Sequence, residues 1–363
     1  MIRSILRDKI LVALLSVAAL IKLLSLNAGW VERYYTYGFY PKVAAVLRLV
    51  FGWVPVSVGD LLYGAAFFYL VAKAGKLIGI LGRRQVKEYL SLVLLKKFLR
   101  LVTGIYLVFN IFWGLNYNRQ GVARQLGLQV APYSVQDLDT LTTVLLQRLN
   151  ACAARVNPGE RSELESNRLL FEGGMAAFRE AEKELPFLAL RHPSIKPSVF
   201  SSIGHFFGFT GYYNPFTGEA QIKTSIPAFI KPFVVTHEIG HQLGYAKENE
   251  ANFAAYLACR RSASAEFRYS VYYELYRYAI GEMNRRDTLR AQGYLRHLHP
   301  QVVADNLALI NYFLQTDNAM EPVVSSLYDE FLRWNSQPKG KMTYNEVISW
   351  LIAYGKKYGM QSI

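Results

Sequence analysis

Two histidines four residues apart, with a glutamate beside the first, are the residues in this chain best suited to hold a metal ion. They lie in Pro232-Phe-Val-Val-Thr-His237-Glu238-Ile-Gly-His241-Gln-Leu-Gly244. On a helix, i and i+4 spacing puts both imidazoles on one face about one turn apart. His-Glu-x-x-His on a helix is the arrangement that zinc peptidases use. Glu238 follows the first ligand directly, so it sits beside the metal without having to bind it. There it can accept a proton from the attacking water and pass it to a leaving amine. Pro232 stands where a first-turn proline would, and Gly244 where a helix stop would. The flanks Phe233, Val234, Val235, Ile239 and Leu243 are apolar, so the helix is expected to be buried. Two His and a Glu buried without a partner would be costly, and a metal satisfies all three.

A catalytic zinc takes three protein ligands and keeps one open position. Tyr245-Ala-Lys-Glu248-Asn-Glu250-Ala-Asn252 offers the third ligand at once. If a second helix starts near Lys247, Glu248 and Asn252 share a face. Glu248 then ligates and the Asn252 amide orients a histidine. Glu250 is the alternative ligand. For stabilising an oxyanion, the candidates are Tyr212, Tyr213, His205, His297 and His299, among which the sequence does not choose. Alternation in Ala220-Gln-Ile222-Lys-Thr224 predicts a strand, after a turn at Asn214-Pro-Phe-Thr-Gly218. Residues 219–225 are expected either to pair with an extended substrate as an edge strand or to form a plain structural hairpin.

The elements that must carry this motif begin at about residue 118. The 363-residue chain holds 41 Lys+Arg against 27 Asp+Glu and is 52% hydrophobic. That apolar content excludes a disordered tail protein. Cys152 and Cys259 cannot build a disulfide scaffold or an all-cysteine zinc site, although one bridge between them is open. Residues 1–117 carry 15 Lys/Arg and 4 Asp/Glu, a balance of +11, and the remainder, with 26 and 23, only +3. A nucleic-acid binder would carry its basic stripe on the soluble part. The excess here belongs to the hydrophobic third, so no nucleic-acid partner is expected.

Three apolar stretches, about 10–28, 58–80 and 98–117, each approach the roughly 20 residues that span a bilayer as a helix. Arg83, Arg84, Lys87, Lys96, Lys97 and Arg100 follow the second stretch, which puts the N-terminus and residues 81–97 in the cytoplasm. Three crossings then place residues 118–363 outside the cytoplasmic membrane. The segment PKVAAVLRLVFGWVP in the first external loop is expected along the membrane surface. No small-x-small cleavage signal follows the first stretch clearly, so an uncleaved anchor is expected. Lys231, Lys247, Glu248 and Glu250 surround the metal helix, and no apolar run encloses it, which argues against cleavage inside the bilayer.

Further along, Ser134 is expected to cap a helix running to about Val156, and a polar helix to cover 160–184. After Pro232 the chain is expected to be helical, with breaks near Gly244, Pro300, Pro322 and Pro338. The Tyr269–Tyr278 run recurs at helical spacing and is read as core or interface.

The zinc helix with its downstream Glu-x-x-Ala-Asn resembles the gluzincin pattern, in which the third ligand is a Glu and an Asp follows four residues later. Here Asn252 stands in place of that Asp, and the interval from His241 to Glu248 is short for gluzincins. The whole chain resembles an uncharacterised family of bacterial membrane-anchored proteins catalogued only as a domain of unknown function. The likeness lies in the hydrophobic N-terminus, WGLNYNR at 113–119, GYYNPFTGEA at 211–220, HEIGHQLGYAKENEANFAAYLA at 237–258 and YNEV at 344–347. It implies a mainly α protein with a three-helix transmembrane region and a zincin-like, mostly helical domain containing a small β-sheet. It also implies a metallopeptidase and supplies no known substrate; the motif is what points to Zn2+ and to peptide or protein substrates. A non-catalytic envelope protein with a structural zinc, and a zinc amidase acting on another amide such as a peptidoglycan cross-link, are the competing expectations.

Overall fold

A computed structural model gives the fold and describes residues 7–82 and 92–363. The chain is mainly helical with one small sheet. The longer helices are α1 (Lys9–Ser25), α2 (Tyr40–Phe51), α3 (Val58–Gly82), α4 (Leu92–Phe112), α5 (Val135–Ala153), α6 (Asn167–Glu182), α7 (Lys231–Gln242), α8 (Glu248–Cys259), α9 (Ala265–Arg286), α10 (Pro300–Thr316), α11 (Glu321–Trp334) and α12 (Val347–Tyr358). The strands are β1 (Ile195–Pro197), β2 (Gly211–Asn214) and β3 (Glu219–Ile222).

Local chemistry sets the ends of these elements. Ser134 accepts from the Asp137 N–H while Asp137 reaches back to the Ser134 N–H, a reciprocal cap that starts α5. The polar helix expected over 160–184 is divided into a short turn at Pro158–Glu163 and α6. Pro300 and Pro322 fall in the first turns of α10 and α11, where a missing N–H costs nothing. Two further breaks, after Cys259 and at Asp287, separate α8, α9 and the short helix that follows. Tyr269, Tyr272, Tyr273 and Tyr276 of α9 are buried in the main core with Phe253 and Tyr256 of α8. Cys152 and Cys259 are both buried and unpaired.

The sheet has the order β1-β3-β2, with β1 parallel and β2 antiparallel to β3. β3 is therefore the central strand. Of the two expectations for residues 219–225, the structure shows the hairpin, since β3 pairs with β2 on one side and β1 on the other; the open-edge role is corrected, and β2 is an edge strand.

The apolar N-terminal stretches form α1, α3 and α4. Among the described residues no single helix is long and apolar enough to cross a membrane. The pair Lys9–Ser25 and Ala28–Phe51, bent by 96°, satisfies length and composition together. Lys73 and Lys76 lie within α3, and Lys96, Lys97 and Arg100 within α4. The third stretch also ends early, since Gly114–Asn118 is a buried 3-10 turn of the globular part. Arg83, Arg84 and Lys87 of the basic segment lie outside the described residues.

Residues 28–60 do not stand apart from the rest. Val31, Tyr35, Tyr40 and Ala44 share a second core with Trp113, Leu115, Tyr117 and Ala246. In α2, expected along a membrane surface, Arg48 is buried and donates to the carbonyls of Gln242 (3.4 Å) and Arg191 (3.1 Å). Its other face leaves Val46, Leu49 and Val50 exposed. Glu219 of β3 accepts from the Gly59 N–H at 2.7 Å and the Val58 N–H at 3.3 Å, a carboxylate on the N-terminus of α3, and pairs with Lys196 at 2.5 Å. The sheet is thus fastened to α3.

Candidate metal centre

The metal-binding motif is carried by α7, which stops where the sequence places its stop. Gly244 adopts φ +86, a left-handed backbone that glycine reaches at no steric cost. The Tyr245 N–H then returns to the Gly240 carbonyl (3.3 Å) and the Gly244 N–H to His241 (2.8 Å), a glycine-based C-cap. This reversal aims α8 back across α7. Gly240 allows the close crossing, since a Cβ there would lie 3.2 Å from the Ala251 Cα.

Three ligand atoms, one each from His237, His241 and Glu248, lie within 4.8 Å of one another, so this group could hold a metal ion. Glu248 Oε2 is 3.2 Å from His237 Nε2 and 3.5 Å from His241 Nε2. All three residues are buried. The remaining ring nitrogens are engaged elsewhere. His241 Nδ1 donates to the Tyr245 carbonyl at 2.7 Å. The Asn252 amide donates to the Tyr344 carbonyl at 3.2 Å, which turns its oxygen toward His237 Nδ1 at 2.7 Å, so that ring nitrogen donates. Both Nε2 lone pairs are left facing the Glu248 carboxylate, the orientation a divalent cation requires. Glu248 Oε2 is buried without a hydrogen-bond partner. Such an orphaned oxygen among two imidazole nitrogens fits a cation, and two nitrogens with one carboxylate suit zinc.

Electrostatics follow from the burial. Burial opposes ionisation of Glu248, but the two imidazoles beside it hold its carboxyl well below the usual range, in the charged state that ligates. Burial also opposes charge on His241, yet the Glu248 carboxylate raises it to about 9, so a cation held here takes the place of a proton on Nε2. Glu238 is pushed up to about 7, chiefly by burial, and its Oε2 has no hydrogen-bond partner. Glu250 is placed away from the group. It too is buried, and a Cβ on Gly121 would meet its carboxylate.

Two tyrosines that the sequence reading did not single out complete the centre. The Tyr328 hydroxyl donates to Glu248 Oε1 at 2.7 Å, and the Tyr344 ring stacks on His237 with centroids 6.1 Å apart. Their hydroxyls are 3.4 Å from each other. Burial of the hydroxyl ends, and then the Glu248 charge, raises both phenols well above their ordinary value, so they remain donors. Tyr344 opens the YNEV segment; Tyr328 sits in no recognisable motif. Of the five oxyanion candidates, only Tyr212 and Tyr213 border the site. The Tyr212 hydroxyl bonds to Asp60, and the Tyr213 hydroxyl is 3.2 Å from that of Tyr40. His205 stacks on Phe206, the His299 ring caps α10, and the His297 carbonyl accepts from Asn150; none of the three lines the groove.

The centre floors a groove made of two adjoining cavities, of about 780 Å³ and about 340 Å³, both bordered by His237, Glu238, Tyr212, Tyr328 and Tyr344. Strand β2 runs along it. Because Thr210 accepts from Lys223 N–H (2.9 Å) and Asn214 closes the hairpin to Gly218 N–H (2.8 Å), the alternation turns the peptide groups of Gly211 and Tyr213 away from β3. Arg119 of WGLNYNR pairs with buried Glu32 at 3.2 Å and lies 4.4 Å over the Tyr245 ring. Trp113 of the same segment meets His241 edge-on, 6.0 Å between centroids.

No curated protein and no solved structure matches this chain. A family model described as "Protein of unknown function (DUF3810)" matches residues 35–352, and the chain belongs to that family.

Proposed function

We propose that this protein is a membrane-anchored zinc metallopeptidase that hydrolyses peptide bonds on the extracytoplasmic side. His237, His241 and Glu248 hold the ion, Asn252 and the Tyr245 carbonyl fix the imidazoles, and Tyr328 fixes the carboxylate. A bound zinc supplies Lewis acidity, which polarises water and the substrate carbonyl. Glu238 takes the proton of the attacking water and delivers it to the departing amine. Its buried position, which pushes the carboxyl up to about 7, suits both taking and returning the proton. Tyr344 presents the phenol donor for the carbonyl oxygen as it gains charge. Strand β2 offers the Gly211 and Tyr213 peptide groups to an extended substrate, which orients the scissile bond. The anchor rests on the exposed apolar faces of α1, α3 and α4, and the orientation on the lysine and arginine asymmetry.

The observation that carries this reading is the unpartnered Glu238 carboxylate beside the ligand group, at the floor of a groove long enough for a peptide. A zinc that only staples α7 to α8 would need neither. The test compares purified wild-type protein with Glu238→Gln, by metal content and by cleavage of quenched peptides. The variant is expected to bind metal at wild-type stoichiometry and to lose hydrolysis by at least about 10²-fold. Unchanged proteolysis at full metal occupancy would end the proposal.

A further inference from the structure

Helices α10 and α11 carry apolar stripes on their solvent faces that packing does not explain. On α10, Val303, Leu307, Ile310 and Leu314 recur at three- and four-residue steps, with Leu307 58% and Leu314 71% exposed. On α11, Val323 and Leu327 four residues apart and Trp334 two turns further on the same face are exposed, the last two at 68% and 84%. The opposite sides, Val302 and Leu309 of α10 and Leu332 of α11, are buried, so each helix is amphipathic toward the outside as well as toward the core. A soluble monomer seldom exposes contiguous apolar surface on this scale.

The position of the two helices identifies what covers them. Phe331 of α11 packs edge-on against Phe109 of α4, 6.2 Å between centroids. Phe313 of α10 borders the larger cavity together with Phe67 and Phe68 of α3, which are themselves 60% and 72% exposed. The stripes therefore continue the apolar surface of the N-terminal helices. Trp334, near the end of the second stripe, is the residue type that settles at a headgroup boundary.

We propose that α10 and α11 rest in the surface of the lipid bilayer beside α3 and α4, so that the larger cavity opens onto the membrane. The groove then takes a polypeptide with an apolar segment held at that surface, which is cut beside the bilayer and not within its core. The substrate class rests on the hydrolase reading; the lipid contact does not. Aromatic walls from α3 on one side and α10 on the other receive the apolar segment, and β2 receives the chain next to it.

The test uses full-length protein in nanodiscs, with Cys152→Ala and Cys259→Ala, and a dye on a single introduced cysteine: Leu307→Cys, Leu327→Cys, or Lys183→Cys at the exposed C-terminal cap of α6. Brominated acyl chains are expected to quench the dye at 307 and 327 and to leave 183 unchanged. No quenching at 307 and 327 overturns the inference. In a second arm, Glu238→Gln protein binds a nanodisc-anchored apolar peptide at least about tenfold more tightly than the same peptide free in solution with its anchor removed. Leu307→Glu with Leu327→Glu abolishes that difference without changing the circular dichroism. Equal binding of the two peptides overturns the substrate class. So does a dye at Phe313→Cys that bromolipid quenches and the peptide does not relieve, which would mean that acyl chains fill the groove. If both arms hold while no peptide is hydrolysed by the wild type, the hydrolase reading falls with the substrate class, and the lipid contact stands.

Discussion

A methyl group added at Gly211 would lie 2.8 Å from the Glu238 Oε1 and 2.9 Å from the Val234 Cγ1. The edge strand and the Glu238 carboxylate thus touch at a point where only hydrogen fits. Gly211→Ala should push the Glu238 carboxylate aside, because the far end of that side chain yields more easily than the backbone. Hydrolysis is expected to fall by about 10²-fold, the scale set by an ångström of misplacement. Metal content should be unchanged, because the ligands do not contact Gly211. Parallel loss of metal in this variant would show that the strand supports the ligands themselves.

The Tyr328 hydroxyl bonds the carboxylate oxygen that faces away from the histidines, so it orients Glu248 without competing for the ion. Tyr328→Phe and Asn252→Ala are each expected to weaken metal affinity about 10- to 100-fold. Competition against a chromophoric chelator measures this directly. Glu248→Gln should lose far more, whereas Glu250→Gln should bind as the wild type does. A Glu250→Gln variant that fails to bind metal would transfer the third ligand to that residue.

Chelation should destabilise the protein, because His237, Glu238, His241 and Glu248 are all buried and would be left to one another. At a thousandfold excess over the dissociation constant, a ligand of the native state adds about 4 kcal/mol of stability. Removing the metal in detergent solution should therefore lower the thermal midpoint, and zinc should restore it. A midpoint that ignores chelator and zinc alike would argue against a resident ion.

Much of this centre was legible because a helix converts spacing into proximity. His237 and His241 at i and i+4, the stop at Gly244 and the restart at Glu248 left few ways to arrange the ligands, and Asn252 follows one turn after Glu248. Tyr328 and Tyr344 were not legible, since each comes from a distant segment whose position depends on how α11 and the turn after it fold over α8. The edge strand was misplaced for a similar reason. Alternation marks residues 219–222 as a strand, but nothing local records that β1, more than twenty residues earlier, covers its outer side. Apolar length gave α1, α3 and α4, yet it could not show that Gly114–Asn118 turns into the globular core or that Arg48 is buried against the end of α7.

Glu32 and Arg119 link the N-terminal region to the metal helix, with side chains only 11% and 1% exposed. Arg119→Ala would leave the carboxylate buried with the Gln120 N–H (3.0 Å) and the Tyr37 hydroxyl as partners but no counter-charge. Breaking a buried pair from one side typically costs about 3–5 kcal/mol. The expected result is a lower unfolding midpoint, with part of the loss recovered when Glu32→Gln is added. If the double variant is no more stable than the single one, the cost comes from lost contact between Arg119 and the Tyr245 ring.

Gly240 and Gly281 provide a matched pair of substitutions with opposite expected signs. At Gly240 an added Cβ would approach the Ala251 Cα at 3.2 Å and its carbonyl oxygen at 3.3 Å, backbone atoms that move only if α8 moves. Gly240→Ala should therefore separate α7 from α8, carry Glu248 away from the two histidines, and reduce both stability and metal affinity. At Gly281, in α9, nothing lies within 4 Å of the added atom. Gly281→Ala should stabilise the protein by about 0.5–1 kcal/mol through helix propensity alone, with metal affinity unchanged. Measuring both variants by unfolding midpoint and metal competition separates a general glycine effect from the close crossing of the two ligand helices. Equal responses at the two sites would mean that this crossing does not govern the metal centre.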